Sequence, residues 1–327
     1  MRLPTHIIYI GLVFISFLLT ACIKAVDEIT LTGQRPLTIN ALITNDQGPF
    51  FVQITQSSNR LQDYTSNQNS GGRGIVKSSD GRLINEPIVD AIVTLTDDQG
   101  NAYQLQPWDQ VFDNAAIANT WAELGVYTTS GSLKGVPGRT YTLNVKHEGQ
   151  EYKATATIPP LPPSIDEVTF VEKILTKGQP EPYKIPTVSF TEPQDQENYY
   201  MFFYERFDED GTGTSISQTN LWTMFFEDVI IFDDQFLKAN VKQLSLDSGL
   251  ETGQGLDPLF SGGSVRVEMH SLSKAAYEFY NALKAQIRND GGAFSQAPAS
   301  PPTNFSNGAL GFFRASSVST RTVPIPQ

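Results

Sequence analysis

The chain has 327 residues, 39% of them hydrophobic and 11% aromatic, with 18% charged and a net charge of −12. That composition describes a folded protein of about two domains and excludes a disordered one. So acidic a surface repels phosphate backbones, which excludes nucleic acid as a partner. A single cysteine leaves no intramolecular disulfide and no cysteine-built zinc site.

Three histidines, His6, His147 and His270, are scattered along the sequence. Metal clusters and Ser-His or Cys-His catalysis are therefore poorly supplied, and no metal or cofactor is expected.

Residues 1–21 have the pattern of a secretory signal. Arg2 supplies the positive start, and an apolar run from Ile7 to Leu19 is broken only by Gly11 and Ser16. The run is short of the roughly 20 apolar residues that span a bilayer. Leu19-Thr20-Ala21-Cys22 resembles the bacterial lipobox. In lipoproteins with that motif the sulfur receives a diacylglycerol and the signal is cut before the cysteine. Cys22 is thus the expected lipid attachment site. Each buried CH₂ contributes about 0.8 kcal/mol, so two or three acyl chains on one residue anchor durably where one does not. Residues 22–35 form a tether. Asp27 and Glu28 resemble acidic signals that send some lipoproteins of the Bacteroidetes to the cell exterior. The expected location is the outer membrane, on its periplasmic or its extracellular side, with the surface slightly favoured.

Beyond the tether the first half alternates at a period of two. Strands are expected over Leu37–Thr44, Phe50–Gln56 and Val89–Thr96, the last followed by the turn Asp97-Asp98-Gln99-Gly100. Thr140–Lys146 alternates strictly, with Tyr141, Leu143 and Val145 on one face. Glu148-Gly149-Gln150 turns the chain, and Tyr152, Ala154, Ala156 and Ile158 alternate again. These strands suggest an Ig-like or Greek-key β-sandwich over residues 36–158, with a long Ser/Asn/Gly-rich loop at 57–88.

Four prolines in Pro159-Pro160-Leu161-Pro162-Pro163 mark a stiff linker at 159–164. A second β-rich domain is expected over 165–327. Its strands are Glu167–Ile174, the aromatic Asn198–Tyr204 buried on both faces, Val265–His270, and a last one beginning at Leu310. Ala276, Tyr280, Leu283 and Ile287 make one apolar stripe, which predicts an amphipathic helix over 274–289. Ser273 is its N-cap, and Asn289-Asp290-Gly291-Gly292 its stop.

Chemistry-bearing motifs are sparse. Asp208-Glu209-Asp210-Gly211 hints at a calcium loop but lacks the required spacing, and reads as a polar turn. The Gly-rich stretches at 253–255 and 261–264 fit neither a phosphate loop nor a dinucleotide fingerprint. Among 35 acidic residues no short motif selects a catalytic pair. Trp108, Trp121 and Trp222 lie in polar neighbourhoods, where each is either a contact for a sugar or protein partner or a packing residue.

Together with the lipobox, several stretches resemble one family, the outer-membrane lipoproteins of the Bacteroidetes known as domain of unknown function 4249. They are Leu37–Thr44, Pro87–Leu95 followed by Asp98–Asn101, Gly138–Val145, Glu197–Tyr200, the helix with Tyr277 and Tyr280, and Pro302–Gly308 leading into Gly311-Phe312-Phe313. The resemblance runs over nearly the whole chain and supplies no catalytic residues. It implies an accessory role beside a TonB-dependent outer-membrane transporter. The expected function is therefore a lipid-anchored, non-enzymatic binding or accessory component, held to the membrane by its acyl chains, with an unknown ligand. The alternatives are a surface hydrolase acting on glycans or peptides, which exposed aromatics and carboxylates permit, and a structural or adhesive surface protein.

Overall fold

A computed structural model describes residues 35–57, 85–108, 124–131, 133–174, 182–207, 230–247, 259, 262–288 and 300–326. In chain order the strands are β1 (Leu37–Thr44), β2 (Phe51–Ser57), β3 (Asn85–Pro87), β4 (Ile92–Asp97), β5 (Ala102–Pro107), β6 (Val126–Thr128), β7 (Thr140–His147), β8 (Gln150–Thr157), β9 (Glu167–Ile174), β10 (Pro182–Thr191), β11 (Tyr199–Phe207), β12 (Ile230–Asp233), β13 (Asn240–Ser245), β14 (Ser264–Leu272) and β15 (Leu310–Pro324). One helix, α1 (Lys274–Arg288), stands between the last two. The protein is mainly β with a helix near its C-terminal end, as the alternation and the single amphipathic stripe predict. Among the described residues no helix is long and apolar enough to cross a membrane.

Twelve strands form one hydrogen-bonded path, β12-β11-β14-β15-β1-β2-β6-β5-β4-β7-β8, with β3 added beside β2. In the first half the path turns at β5. Its residues 102–105 pair with β4, and its residues 106–107 pair with β6. The inward faces of β1, β2 and β6 thereby meet those of β4, β7 and β8. Leu37, Ile39, Ala41, Ile43, Val93, Leu95, Leu143 and Val145 interlock there in one core. Tyr141, Leu143 and Val145 share the inner face of β7, each at most 1% exposed. The β7–β8 connection has two residues, Glu148 and Gly149, both at positive φ. That backbone twist matches the twist of the flanking strands.

In the second half three layers stack. β13, β10 and β9 make a separate three-stranded sheet. Val188, Phe190 and Val241 from it pack on Tyr200, Phe202, Val265, Val267 and Met269 of the large sheet. On the opposite face α1 covers Tyr199, Met201, Phe203 and Phe312 with Ala276 and Phe279. The helix begins as its sequence dictates: the Ser273 hydroxyl accepts the Ala276 N–H at 3.2 Å, and the Ser273 carbonyl accepts the Tyr277 N–H.

β15 belongs to both halves. Its first part pairs with β1 in parallel, Thr38 against Leu310 through Thr44 against Ser316. Its second part pairs with β14, Ser271 against Ser317 through Ser264 against Pro324. Phe305, Ala309, Phe313 and Ala315, grouped with the second domain on sequence grounds, pack in the first core. The segment before β15 also seals the open side of β8, where Ser306 and Lys153 exchange hydrogen bonds of 2.9 Å. Gly311 makes the parallel contact feasible. A Cβ there would lie 2.2 Å from the Ile39 carbonyl oxygen, and its φ of +86° is one that only glycine adopts freely.

Candidate functional site

The residues marked by sequence fall in different places. Cys22, Trp121, Trp222 and the acidic stretch at 208–213 lie outside the described residues. Trp108, at the end of β5, is 4% exposed and tilts against Phe51 at a ring distance of 5.1 Å. That is the packing role of the two open to it. The chemistry the structure brings together lies instead in the second half, on the face of β14 that carries Arg266, Glu268 and His270.

β14 alternates two sets of side chains. Val265, Val267 and Met269 enter the core beneath the three-stranded sheet. Arg266, Glu268 and His270 face the other way, yet Glu268 and His270 are buried at 6% and 0% exposure. Neighbouring strands explain it. β11 places Met201 and Phe203 on that face, opposite His270 and Glu268. β15 and β1 place Arg314 and Leu42 there, opposite each other. The β1–β2 connection folds over β15, with Asn45 taking the Val318 N–H.

Inside this enclosure several polar groups are linked to one another. Glu268 accepts from His270 Nε2 at 3.2 Å, and its other oxygen meets Arg266 at 3.1 Å. Because the carboxylate only accepts, Nε2 carries the proton. Nδ1 is then the acceptor for the Ser316 hydroxyl at 3.3 Å. Arg266 reaches on to Glu205 at 3.1 Å and lies over the Phe207 ring. Arg314 is 1% exposed, between the rings of Phe203 and Tyr280 at 5.7 and 5.3 Å. Cation–π attraction is strongest in such desolvated settings. Burial, with the Arg314 charge, lowers the His270 pKa and holds the ring neutral. Burial alone would raise Glu268, but the hydrogen bond from His270 and the charges of Arg266 and Arg314 outweigh it and keep the carboxyl ionised. Asp46 is pushed up by burial and by the negative charge of Glu268.

The order carboxylate–imidazole–hydroxyl resembles the parts of a hydrolytic triad. Ser316, however, is wholly buried on the interior of the sheet, and a nucleophile must reach its substrate. In this conformation the chain Glu268–His270–Ser316 fixes β14 to β15. Its signal in the sequence is faint: a charged residue, Arg314, set inside the apolar run that begins Gly311-Phe312-Phe313.

A cleft of about 110 Å³ lies between the proline linker and the turn before β11. Pro159, Pro162, Gln196, Asn198, Tyr199 and Leu272 are among its walls. Behind it Glu192 is 2% exposed. One carboxylate oxygen accepts from Asn198 Nδ2 at 2.8 Å and from the Tyr200 hydroxyl at 3.1 Å. The other is buried with no hydrogen-bond partner. Burial raises the Glu192 pKa against the lowering effect of those two donors. Among the described residues no group of three or more His, Cys, Asp or Glu side chains forms a metal site.

A long twelve-stranded sheet shared by both halves, with an enclosed charge network on β14 and β15, defines the class: a β-rich protein whose halves are joined through one strand. The model of the family described as domain of unknown function (DUF4249) matches residues 26–322. The chain belongs to that family. Among curated proteins none matches this sequence.

Proposed function

We propose that the protein is an exported lipoprotein, held in the outer membrane by acyl chains on Cys22, and that it acts as a non-enzymatic binding or accessory component beside a TonB-dependent transporter. The lipobox-like Leu19-Thr20-Ala21-Cys22 at the end of an apolar run carries the reading. Two facts agree with it. The family match starts at residue 26, just past Cys22, so the leader lies outside the family's own domain. The first strand begins at Leu37, which leaves a short connecting segment between the cysteine and the fold. The transporter partnership follows from the family resemblance described above.

The test is purification of the full chain from native membranes, with intact-mass analysis. The expected mature chain starts at Cys22, carries acyl groups and brings a transporter with it. Cys22→Ser releases the protein from the membrane. An unlipidated mature chain overturns the anchor, and a lipidated chain that always purifies alone overturns the transporter partnership.

A further inference from the structure

We propose that two copies of this chain join edge to edge, β9 of one pairing antiparallel with β9 of the other. The inference goes beyond the membrane anchor and the transporter partnership and depends on neither.

A sheet edge presents N–H and C=O groups to any extended chain, and proteins blunt such edges by shortening, bulging or covering them. The large sheet ends in β12 and β8, the small one in β13 and β9. β8 is covered, since Ser306 bonds Lys153 and the Asn307 side-chain amide donates to the Glu151 carbonyl. β12 has only four residues. β13 is irregular: its register on β10 shifts between Val188 and Phe190, and Gln243 has a φ of +51°. β9 is neither short, bulged against β10 nor covered. Its eight residues span ~27 Å and pair with β10 without a break, from Glu167 against Ser189 to Ile174 against Pro182.

The register also fixes which backbone groups face the open side. Lys184 donates its N–H away from β9, to the Leu259 carbonyl, and the Pro186 carbonyl accepts from Leu246. Successive residues of a strand turn their N–H and C=O groups to opposite sides. Ile185 and Thr187 therefore bond β9, through Val171 and Thr169. Val168, Phe170, Glu172 and Ile174 turn their backbone groups to the open edge, where among the described residues none bonds them. The side chains of 171–174 are exposed, the apolar Val171 at 47% and Ile174 at 63%.

The order of residues along β9 selects the occupant. Glu167 and Lys173 lie on one face at opposite ends of the strand. A parallel copy in register sets like charges against each other. An antiparallel copy centred on Phe170 sets Glu167 against the second copy's Lys173 at both ends. It also sets Thr169 against Val171 and Phe170 against its own counterpart. Unlike charges, aromatic pairs and β-branched side chains are favourable cross-strand neighbours. Centring on Glu172 would instead oppose two carboxylates. The strand is thus complementary to its own reverse, as a two-fold interface requires. Two three-stranded sheets become one continuous sheet. A single strand pair is a small interface, so the association is weak and depends on concentration.

The experiment uses the full chain purified in detergent, with isotopically light and heavy copies mixed. A zero-length carbodiimide joins carboxylates to amines already in contact. Glu167 and Lys173 of one chain stand about 20 Å apart along the strand. A Glu167–Lys173 link that carries both isotopes therefore comes from two chains. The expected result is that link, with a sedimentation mass that rises with concentration. Glu172→Pro deletes an outward N–H and leaves the bonds to β10 in place; it should abolish both signals. Lys173→Glu should weaken association several-fold, and adding Glu167→Lys should restore it. Lys173 also pairs with Asp247 of its own chain. The double variant does not rebuild that pair, so restoration reports the contact between chains, even if Glu172→Pro fails to fold. A monomer at every concentration, mixed-isotope links confined to other residues, or a double variant that stays dissociated overturns the proposal. So does a monomeric chain that captures a different protein unless Glu172→Pro is present, which assigns the edge to another partner.

Discussion

The two halves of this protein close their cores by different means. In the first, apolar side chains from β1, β2, β4, β7 and β8 interlock, and the polar groups that matter are confined to turns. Asp97 is the clearest of these, accepting the backbone N–H groups of Gln99 and Asn101 and pairing with Arg139 at 3.0 Å. In the second half one face of the sheet is equally apolar, but the other encloses Glu268, His270 and Arg314. An apolar core tolerates variation in detail so long as volume is kept. An enclosed charge network tolerates almost none, because each group stands on the desolvation of its partners.

Three measurements would break or sharpen that contrast. The largest effect is expected in the second half. Glu268→Gln removes the enclosed carboxylate that pairs Arg266 and offsets the charge of Arg314, and should cost about 3–5 kcal/mol in denaturant unfolding. Combining it with Arg314→Met should cost less than the sum of the two single changes, since each removes the reason the other is harmful. Additive effects would mean that the charges act independently. In the first half Leu143→Ala opens a cavity at a fully buried position and should cost about 2–5 kcal/mol. It should add to Glu268→Gln without coupling; a large coupling would show that the halves share one core.

The smallest effects separate the halves by pH. The Asn101 side-chain amide, followed by backbone N–H groups and Arg139, holds the Asp97 carboxyl below its ordinary value of 3.8 against the opposing effect of burial. A lowered folded pKa contributes stability that is present above about pH 4 and fades as the pH falls through it. Glu192 is the opposite case, raised above 4.5 by burial. Its ionised form costs stability at neutral pH, and that cost disappears as the pH falls toward 4 and the carboxyl protonates. Asp97→Asn should therefore lower the melting temperature at pH 7, and by less as the pH falls below 4. Glu192→Gln should equal or exceed the parent at pH 7, within about 1 kcal/mol, and lose any advantage near pH 4. Parallel melting curves for both variants across that range would refute the assigned causes.

Most of the architecture was legible where one face of an element is buried and the other is wet. β1 and β9 have the bounds that alternation gives, and α1 spans 274–288 against an expected 274–289. β4 begins at Ile92 rather than Val89, because Val89–Ala91 form the bridge between the two layers. β10, buried over Ile185–Phe190, was not anticipated. Two prolines and a run without alternation hide it, although a strand covered on both faces needs no alternation. The same rule bears on Glu268 and His270, buried although they alternate with Val265, Val267 and Met269. Alternation identifies which residues share a face, and only the neighbours brought by β1, β11 and β15 decide whether that face is wet. The lipid-attachment motif is the reverse case. As proposed above, it is local in sequence and owes nothing to the fold.

The shared strand β15 has a consequence for how the chain matures. Four side chains of the first core, Phe305, Ala309, Phe313 and Ala315, come from a segment far along the chain from β1, and β1 has its parallel neighbour only when that segment arrives. Pairing across some 270 positions is slow to find. The amino-terminal half therefore waits, incomplete, until the carboxyl-terminal end has joined it. A change that disrupts β15 before Ser316 should therefore unsettle the first core as well as the second.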